Sequence, residues 1–213
     1  MKTTLVIIPL LLVSSLSAFA ENCCATKSVP ACCAKAEPAA AAFGDKSLYQ
    51  TESKWTTDAN KQIKLADLKG RPQVVVMFFA SCQYACPVLV HDLTRIKAAL
   101  KPELSSKVGF TLVTFDTKRD TPEALAKFRE MRNLPAANWS LLHGADDDVL
   151  ELAALLGVKY KQEANGQFAH SNVITLLNEE GEIVRQLVGL GQNIDEMVKS
   201  IEELVAGKPA PAT

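Results

Sequence analysis

Two cysteines separated by three residues, Cys82 and Cys86, follow the apolar run Gln73-Val-Val-Val-Met-Phe-Phe-Ala80 and precede a segment of helical periodicity. A strand that ends in two thiols and runs into a helix sets them at the strand's carboxyl end and the helix's amino end. Open α/β sheets place their ligand sites there. The positive helix end and its unpaired N–H groups favour thiolate over thiol, so both sulfurs are expected to be reactive. Two chemistries are open to such a pair. A dithiol can cycle to a disulfide, here through a wider ring than the two intervening residues of ordinary disulfide oxidoreductases allow. Two soft thiolates can also grip a soft metal ion, more loosely at this spacing. A permanent stabilising bridge is disfavoured, because such bridges seldom straddle a strand-to-helix turn this close in sequence.

A third donor lies far along the chain. A strand-like run over 158–163, an Asn165-Gly166 turn and Gln167-Phe-Ala-His170-Ser171-Asn172 lead into an apolar strand that starts at Val173. In a thioredoxin-like arrangement the loop before that strand faces the cysteine pair, and the oxidoreductases carry a cis proline in it. No proline occurs here between Pro135 and Pro209, and His170 occupies the loop instead. An imidazole beside two thiolates suits copper in either oxidation state. His91 lies on the same helix as Cys86 but about 140° around its axis, so it cannot share the site. His143, in Leu141-Leu142-His143-Gly144, reads as a structural residue at a strand end.

The elements that must position these donors are legible in the hydrophobic pattern. Val108-Gly-Phe-Thr-Leu-Val-Thr-Phe115 is a second apolar run of strand length, and both runs read as central strands buried on two faces. Between them Leu89, Leu93, Ile96 and Leu100 share one helical face, which makes a β-α-β unit. Further helices are expected over 121–132, capped by Thr121 with Pro122 in the first turn, over 146–156, stopped by Gly157, and over 194–205, stopped by Gly207. Val173–Leu177 and Ile183–Val188 read as a hairpin whose loop offers Gly181 for a positive φ. Two parallel strands feeding an antiparallel hairpin, with helices around them, predict an α/β, thioredoxin-like fold with a mixed central sheet.

The ends of the chain read differently. Lys2, an apolar run from Leu5 to Val13 broken by Pro9, and Ala18-Phe-Ala20 make residues 1–20 a signal peptide. The run falls short of the about 20 residues of a membrane span, so an uncleaved anchor is the lesser alternative. The position just after Ala20 is Glu21 rather than cysteine, which argues against lipoprotein cleavage. The chain from Glu21 is therefore expected in an oxidising compartment, the periplasm, and not as an integral membrane protein once the leader is removed. Residues 21–43 read as an arm and tether, with Cys23-Cys24 and Cys32-Cys33 ahead of an alanine-rich stretch. Those four cysteines either close the arm through disulfides or clamp a soft metal. Residues 44–207 form the folded domain and 208–213 a frayed tail. The 23 basic against 24 acidic side chains leave no basic excess for nucleic acid, and a hydrophobic fraction of 48% excludes disorder across the whole chain.

Taken together, Cys82-x-x-x-Cys86-Pro87, Asp116-Thr-Lys-Arg-Asp120-Thr-Pro-Glu-Ala-Leu125, His170-Ser171 before the next strand, and Leu65-Ala-Asp-Leu-Lys-Gly70 before the first resemble the Sco/SenC family over roughly residues 50–205. The resemblance implies a thioredoxin-fold, membrane-facing copper chaperone that helps assemble the dinuclear copper centre of cytochrome c oxidase, with Cys82, Cys86 and His170 as copper ligands. It implies as partner a cytochrome oxidase subunit or another copper-receiving client; separately, an oxidising compartment would tend to close Cys82 and Cys86 into a disulfide, so a periplasmic thiol reductase is expected as a second partner. Gln83 departs from the family's proline after the first cysteine, which bears on loop rigidity and redox potential. The cysteine-rich arm is a second departure. A thiol-disulfide oxidoreductase using Cys82 and Cys86 as a redox pair is the alternative to a metallochaperone. Peroxide chemistry is disfavoured, because the threonine that peroxiredoxins carry three residues before the reactive cysteine is Phe79 here.

Overall fold

The computed structural model describes residues 43–207. The expected signal peptide over 1–20, the expected arm with Cys23, Cys24, Cys32 and Cys33 up to residue 42, and the expected tail from 208 lie outside the described residues. In chain order the elements are β1 (Trp55–Thr57), β2 (Gln62–Ile63), β3 (Gln73–Phe78), α1 (Ala85–Ala99), α2 (Pro102–Ser105), β4 (Gly109–Thr114), α3 (Pro122–Met131), β5 (Trp139–Gly144) and α4 (Asp146–Leu155). They continue with β6 (Tyr160–Gln162), β7 (Phe168–His170), β8 (Val173–Leu177), β9 (Ile183–Val188) and α5 (Asp195–Val205).

The two apolar runs become β3 and β4, which pair in parallel from Gln73 opposite Gly109 to Phe78 opposite Thr114. Every residue of both strands is buried, which is why their sequences show no alternation. They lie inside a seven-stranded mixed sheet of order β2-β1-β5-β4-β3-β8-β9. The structure adds a third parallel strand to the two expected: β5 pairs with β4 from Trp139 to Leu142 and accepts β1 antiparallel on its far edge. Ser140 and His143 interrupt its apolar character, and only its end looks strand-like in sequence. At the β1–β5 edge the Trp55 ring lies so close to Gly144 that an added Cβ would sit 2.7 Å from it, so the glycine makes room for the indole.

α1 buries Leu89, Leu93 and Ile96, the predicted stripe, and packs against β3 and α5. α3 starts as expected, with the Thr121 hydroxyl accepting the Ala124 N–H at 3.3 Å and Pro122 in the first turn. The β8–β9 hairpin has the predicted limits, and Gly181 in its loop takes φ +84° beneath the Tyr49 ring. β6 and β7 form a separate two-stranded ribbon. His170, expected in a loop, is the last residue of β7, paired opposite Tyr160. A strand end holds the ring more firmly than a loop would, because ladder hydrogen bonds fix the backbone on one side.

Candidate metal centre

The turn between β3 and α1 carries Cys82, and Cys86 lies in the first turn of α1. The Cys86 N–H points at the Cys82 sulfur over 3.4 Å, and the Phe79 N–H points at the Cys86 sulfur over 3.5 Å. Tyr84, before the helix, makes no side-chain cap. A sulfur therefore takes up one of the N–H groups a helix start leaves unpaired. From the other side β7 delivers His170, whose Nε2 lies 3.8 Å from the Cys86 sulfur. The two sulfurs and a ring nitrogen all fall within 4.8 Å of one another, the closest soft-donor set among the described residues.

The histidine's second nitrogen decides what the first can do. Nδ1 lies 3.0 Å from the Ser171 carbonyl, which can only accept, so Nδ1 carries the proton and Nε2 keeps its lone pair toward the sulfurs. Aromatic rings hold the imidazole in that attitude. Phe79 meets it edge-on at 5.9 Å between centroids and Phe115 at 5.1 Å, and Phe168 packs on both phenylalanines.

Burial divides the two thiols. Cys86 is fully buried and Cys82 is 9% exposed, at the floor of an open cleft of about 530 Å³ lined also by Gln83, Glu163, Gln167 and Phe168. Burial pushes the Cys86 thiol well above its ordinary value; the Phe79 N–H opposes this and the neighbouring Cys82 adds to it. The expectation that the helix start makes both sulfurs acidic is therefore corrected for Cys86. Loss of solvation in an apolar site outweighs a half charge at a helix end. Tyr84, at 84% exposure, projects at the rim of the same cleft.

A residue that the motif contained but its spacing did not explain completes the frame. Asp120 is buried and accepts hydrogen bonds from the Ala80 N–H at 2.7 Å and the Thr114 hydroxyl at 2.6 Å. It thus ties the loop after β4 to the backbone two residues before Cys82. His143 and His91 stand outside the cluster, as expected. The His143 Nδ1 lies 3.0 Å from the Asp120 carbonyl, and His91 is exposed on α1.

Burial pushes the Asp120 carboxyl above the ordinary carboxylate range, against the Thr114 and Ala80 donors, which hold it down. A raised folded value means that this group contributes most stability below its ordinary pKa, and that the contribution declines as pH rises through the folded value. Replacing Asp120 by Ala should cost about 2–4 kcal/mol, because two buried donors lose their acceptor. Asp120→Asn keeps an oxygen for both donors and should retain near-wild-type stability at neutral pH while flattening the decline. Urea unfolding from pH 4 to 8 measures both effects; an alanine variant as stable as wild type would remove Asp120 from the frame.

A soft donor trio with one tied-off imidazole can hold a thiophilic cation, or its two sulfurs can cycle between dithiol and disulfide. The comparisons with known proteins bear on the choice. A family model described as SCO1/SenC matches residues 44–206. A SCO1 protein homolog of Bacillus subtilis (strain 168) is 25% identical over 148 residues, 67% of this chain and 75% of that protein. Among solved structures, ScoI of Arabidopsis thaliana with copper bound superposes with a TM-score of 0.64 at 17% identity, over 73% of this chain and 96% of that one. BsSco, described as having a disulfide switch and as a member of the Sco family of cytochrome c oxidase assembly proteins, does so with a TM-score of 0.64 at 22% identity, over 73% and 92%. At these identities the two structures speak for the fold, which is the thioredoxin-like one that the sequence predicts.

Proposed function

The chain belongs to the SCO1/SenC family, and from that premise we propose that it is an exported copper metallochaperone whose cargo sits on Cys82, Cys86 and His170. The observation that carries the reading is the convergence of two sulfurs and a lone-pair nitrogen within 4.8 Å, the imidazole already in the tautomer that a metal requires. Trigonal coordination at metal–ligand distances of about 2.0–2.3 Å calls for donor separations of about 3.5–4 Å, so small side-chain movements close the set. Two thiolates and an imidazole suit Cu(I) and tolerate Cu(II), whereas a hard cation would find no oxygen donor among the three. Copper-bound relatives support the choice of metal.

The protein's own part follows from the site. Cys86 holds its proton at neutral pH, so taking up Cu(I) means releasing that proton to solvent, and returning the cargo to a client means taking it back. The open cleft over Cys82 lets a client's donors approach from one side, while the aromatic rings shield the other. We further propose that the client is a copper-receiving protein such as a cytochrome oxidase subunit. BsSco, a member of the Sco family of cytochrome c oxidase assembly proteins, supports that assignment. The leader-like residues 1–20 support export to the periplasm, and among the described residues no helix is long and apolar enough to cross a membrane. In that compartment residues 21–43 would serve as arm and tether to the domain at 44–207. Thiol redox is then the control on loading rather than the task itself. In the oxidoreductase alternative the less buried Cys82 would exchange with a client and Cys86, which keeps its proton, would resolve the mixed disulfide slowly.

Anaerobic titration with Cu(I) against a competing chelator, in the chain with its four arm cysteines replaced by serine, tests the reading. One equivalent should bind, and the affinity should rise about tenfold per pH unit between pH 6 and 8 for each proton displaced. No binding, or binding indifferent to pH, would defeat the assignment.

A further inference from the structure

The half of the site that carries His170 is held differently from the half that carries the cysteines. Cys82 and Cys86 stand between a central strand and a long helix. His170 ends a ribbon, β6–β7, whose strands hydrogen-bond only to each other. A two-stranded hairpin is marginal on its own, so the position of its last ring depends on what fastens it to the body. Part of the fastening is aromatic: Tyr160 stacks on Phe115 at 5.1 Å between centroids, and Phe168 packs against Phe79 and Phe115.

The polar part is one side chain. The Arg119 guanidinium donates through Nη2 to the Gly166 carbonyl in the ribbon's turn and through Nε to the Asp116 carboxylate, and lies 5.9 Å from the Phe168 ring centroid. Asp116 is only 2% exposed, and one of its oxygens also accepts the Arg119 N–H at 3.3 Å. The fork therefore has a fixed root in the body and a free prong on the ribbon. Among the described residues no other side chain outside the ribbon hydrogen-bonds to its turn. Gly166 lies four residues before His170, about 13 Å along an extended strand, so a shift at the turn is carried along the ribbon to the imidazole. The loop that bears Arg119 is also the one whose Asp120 holds the Ala80 N–H ahead of Cys82. One five-residue stretch, Asp116 to Asp120, thus contacts both halves of the site.

We propose that Arg119 is a positioning residue of the copper site. By bridging Asp116 and Gly166 it sets how closely His170 Nε2 approaches the two sulfurs, and thereby the imidazole's share in holding the cargo. The proposal rests on the copper reading above. It assigns Arg119 no contact with the metal. A Lys in its place would keep a positive charge near Phe168 without the planar fork that meets a carboxylate and a carbonyl at once.

The test compares Arg119→Gln and Arg119→Lys in the full chain with the arm cysteines replaced by serine, each with and without His170→Ala. Both variants should remain folded by circular dichroism and bind one Cu(I). Their affinity should fall 10- to 100-fold, as when a supporting partner of a ligating histidine is lost, more for Gln than for Lys. In the His170→Ala background neither should weaken binding more than about twofold, because the group that Arg119 positions is gone. Unchanged affinity in a folded variant overturns the proposal, and so does an equal loss in both backgrounds, which would mark a merely structural role. If Arg119→Gln does not fold, Arg119→Lys is judged by the same two criteria. Should the parent bind no copper, the copper reading fails by itself. The latch is then judged in the metal-free chain by amide exchange at Glu163, whose N–H bonds to the Gln167 carbonyl at 2.8 Å across the ribbon. Exchange tenfold faster in the variants sustains the latch, and unchanged exchange removes it.

Discussion

Oxidation of Cys82 and Cys86 to a disulfide should take Cu(I) binding from one equivalent to none, and reduction should restore it in full. Both thiols are free in the structure and their sulfurs lie within 4.8 Å, so the β3–α1 turn has little distance to close before a bond of about 2.05 Å forms. A disulfide sulfur offers no thiolate, and a lone imidazole holds Cu(I) poorly. The loss is therefore of the whole site rather than of one ligand. The measurement is copper content after gel filtration of the chain with serine in place of the arm cysteines, oxidised with a diazene reagent and then reduced with a phosphine. The Cys86→Ser variant, which keeps one thiolate and the imidazole, should bind Cu(I) far more weakly than the reduced parent and cannot form the Cys82–Cys86 bond on oxidation. Copper retained by the oxidised chain would separate the thiols from the site.

Loss of the histidine should act selectively. His170→Ala leaves two thiolates, enough for two-coordinate Cu(I), and its affinity for that ion should fall about 100-fold with the stoichiometry kept. Cu(II) needs more donors and a harder one. Its binding should fall at least about 1000-fold, with the visible thiolate-to-copper absorption gone. Equilibrium competition followed by absorption and paramagnetic resonance distinguishes the two. Because the ring packs on Phe79 and Phe115, the variant's folding is checked by thermal unfolding beforehand. An unchanged Cu(II) spectrum would place the nitrogen ligand elsewhere.

Much of the frame around these residues is legible in the sequence, for identifiable reasons. Strands covered on both faces must be apolar at every position, so Gln73–Phe78 and Gly109–Thr114 stand out without a structure. A hairpin announces itself when a loop contains a glycine between two β-branched runs, as Gly181 does. β1 and β5 are obscure because three residues in one, and Ser140 and His143 in the other, leave no periodicity to read. At the site, the ligand types and the loop leading to β8 are enough to bring His170 to the cysteines. The duties of Asp120 and Arg119 are not, since each depends on a backbone partner forty or more residues away whose approach only the folded sheet creates. The acidity of Cys86 is misjudged for a related reason: helix position is visible in a sequence, while the depth of a side chain in the folded domain is not.

The unequal exposure of the two sulfurs gives the oxidised pair a direction. An external thiol can reach only the sulfur of Cys82, at 9% exposure, and its attack must expel Cys86, which is sealed from solvent. The expelled thiolate forms where burial opposes its charge, and a leaving group that prefers its proton departs slowly. Small diffusible thiols would then meet a kinetic barrier whatever the equilibrium favours. A disulfide formed once would persist as a stored, inactive pool, turned over at the pace at which a reducing sulfur can be presented to Cys82 alone.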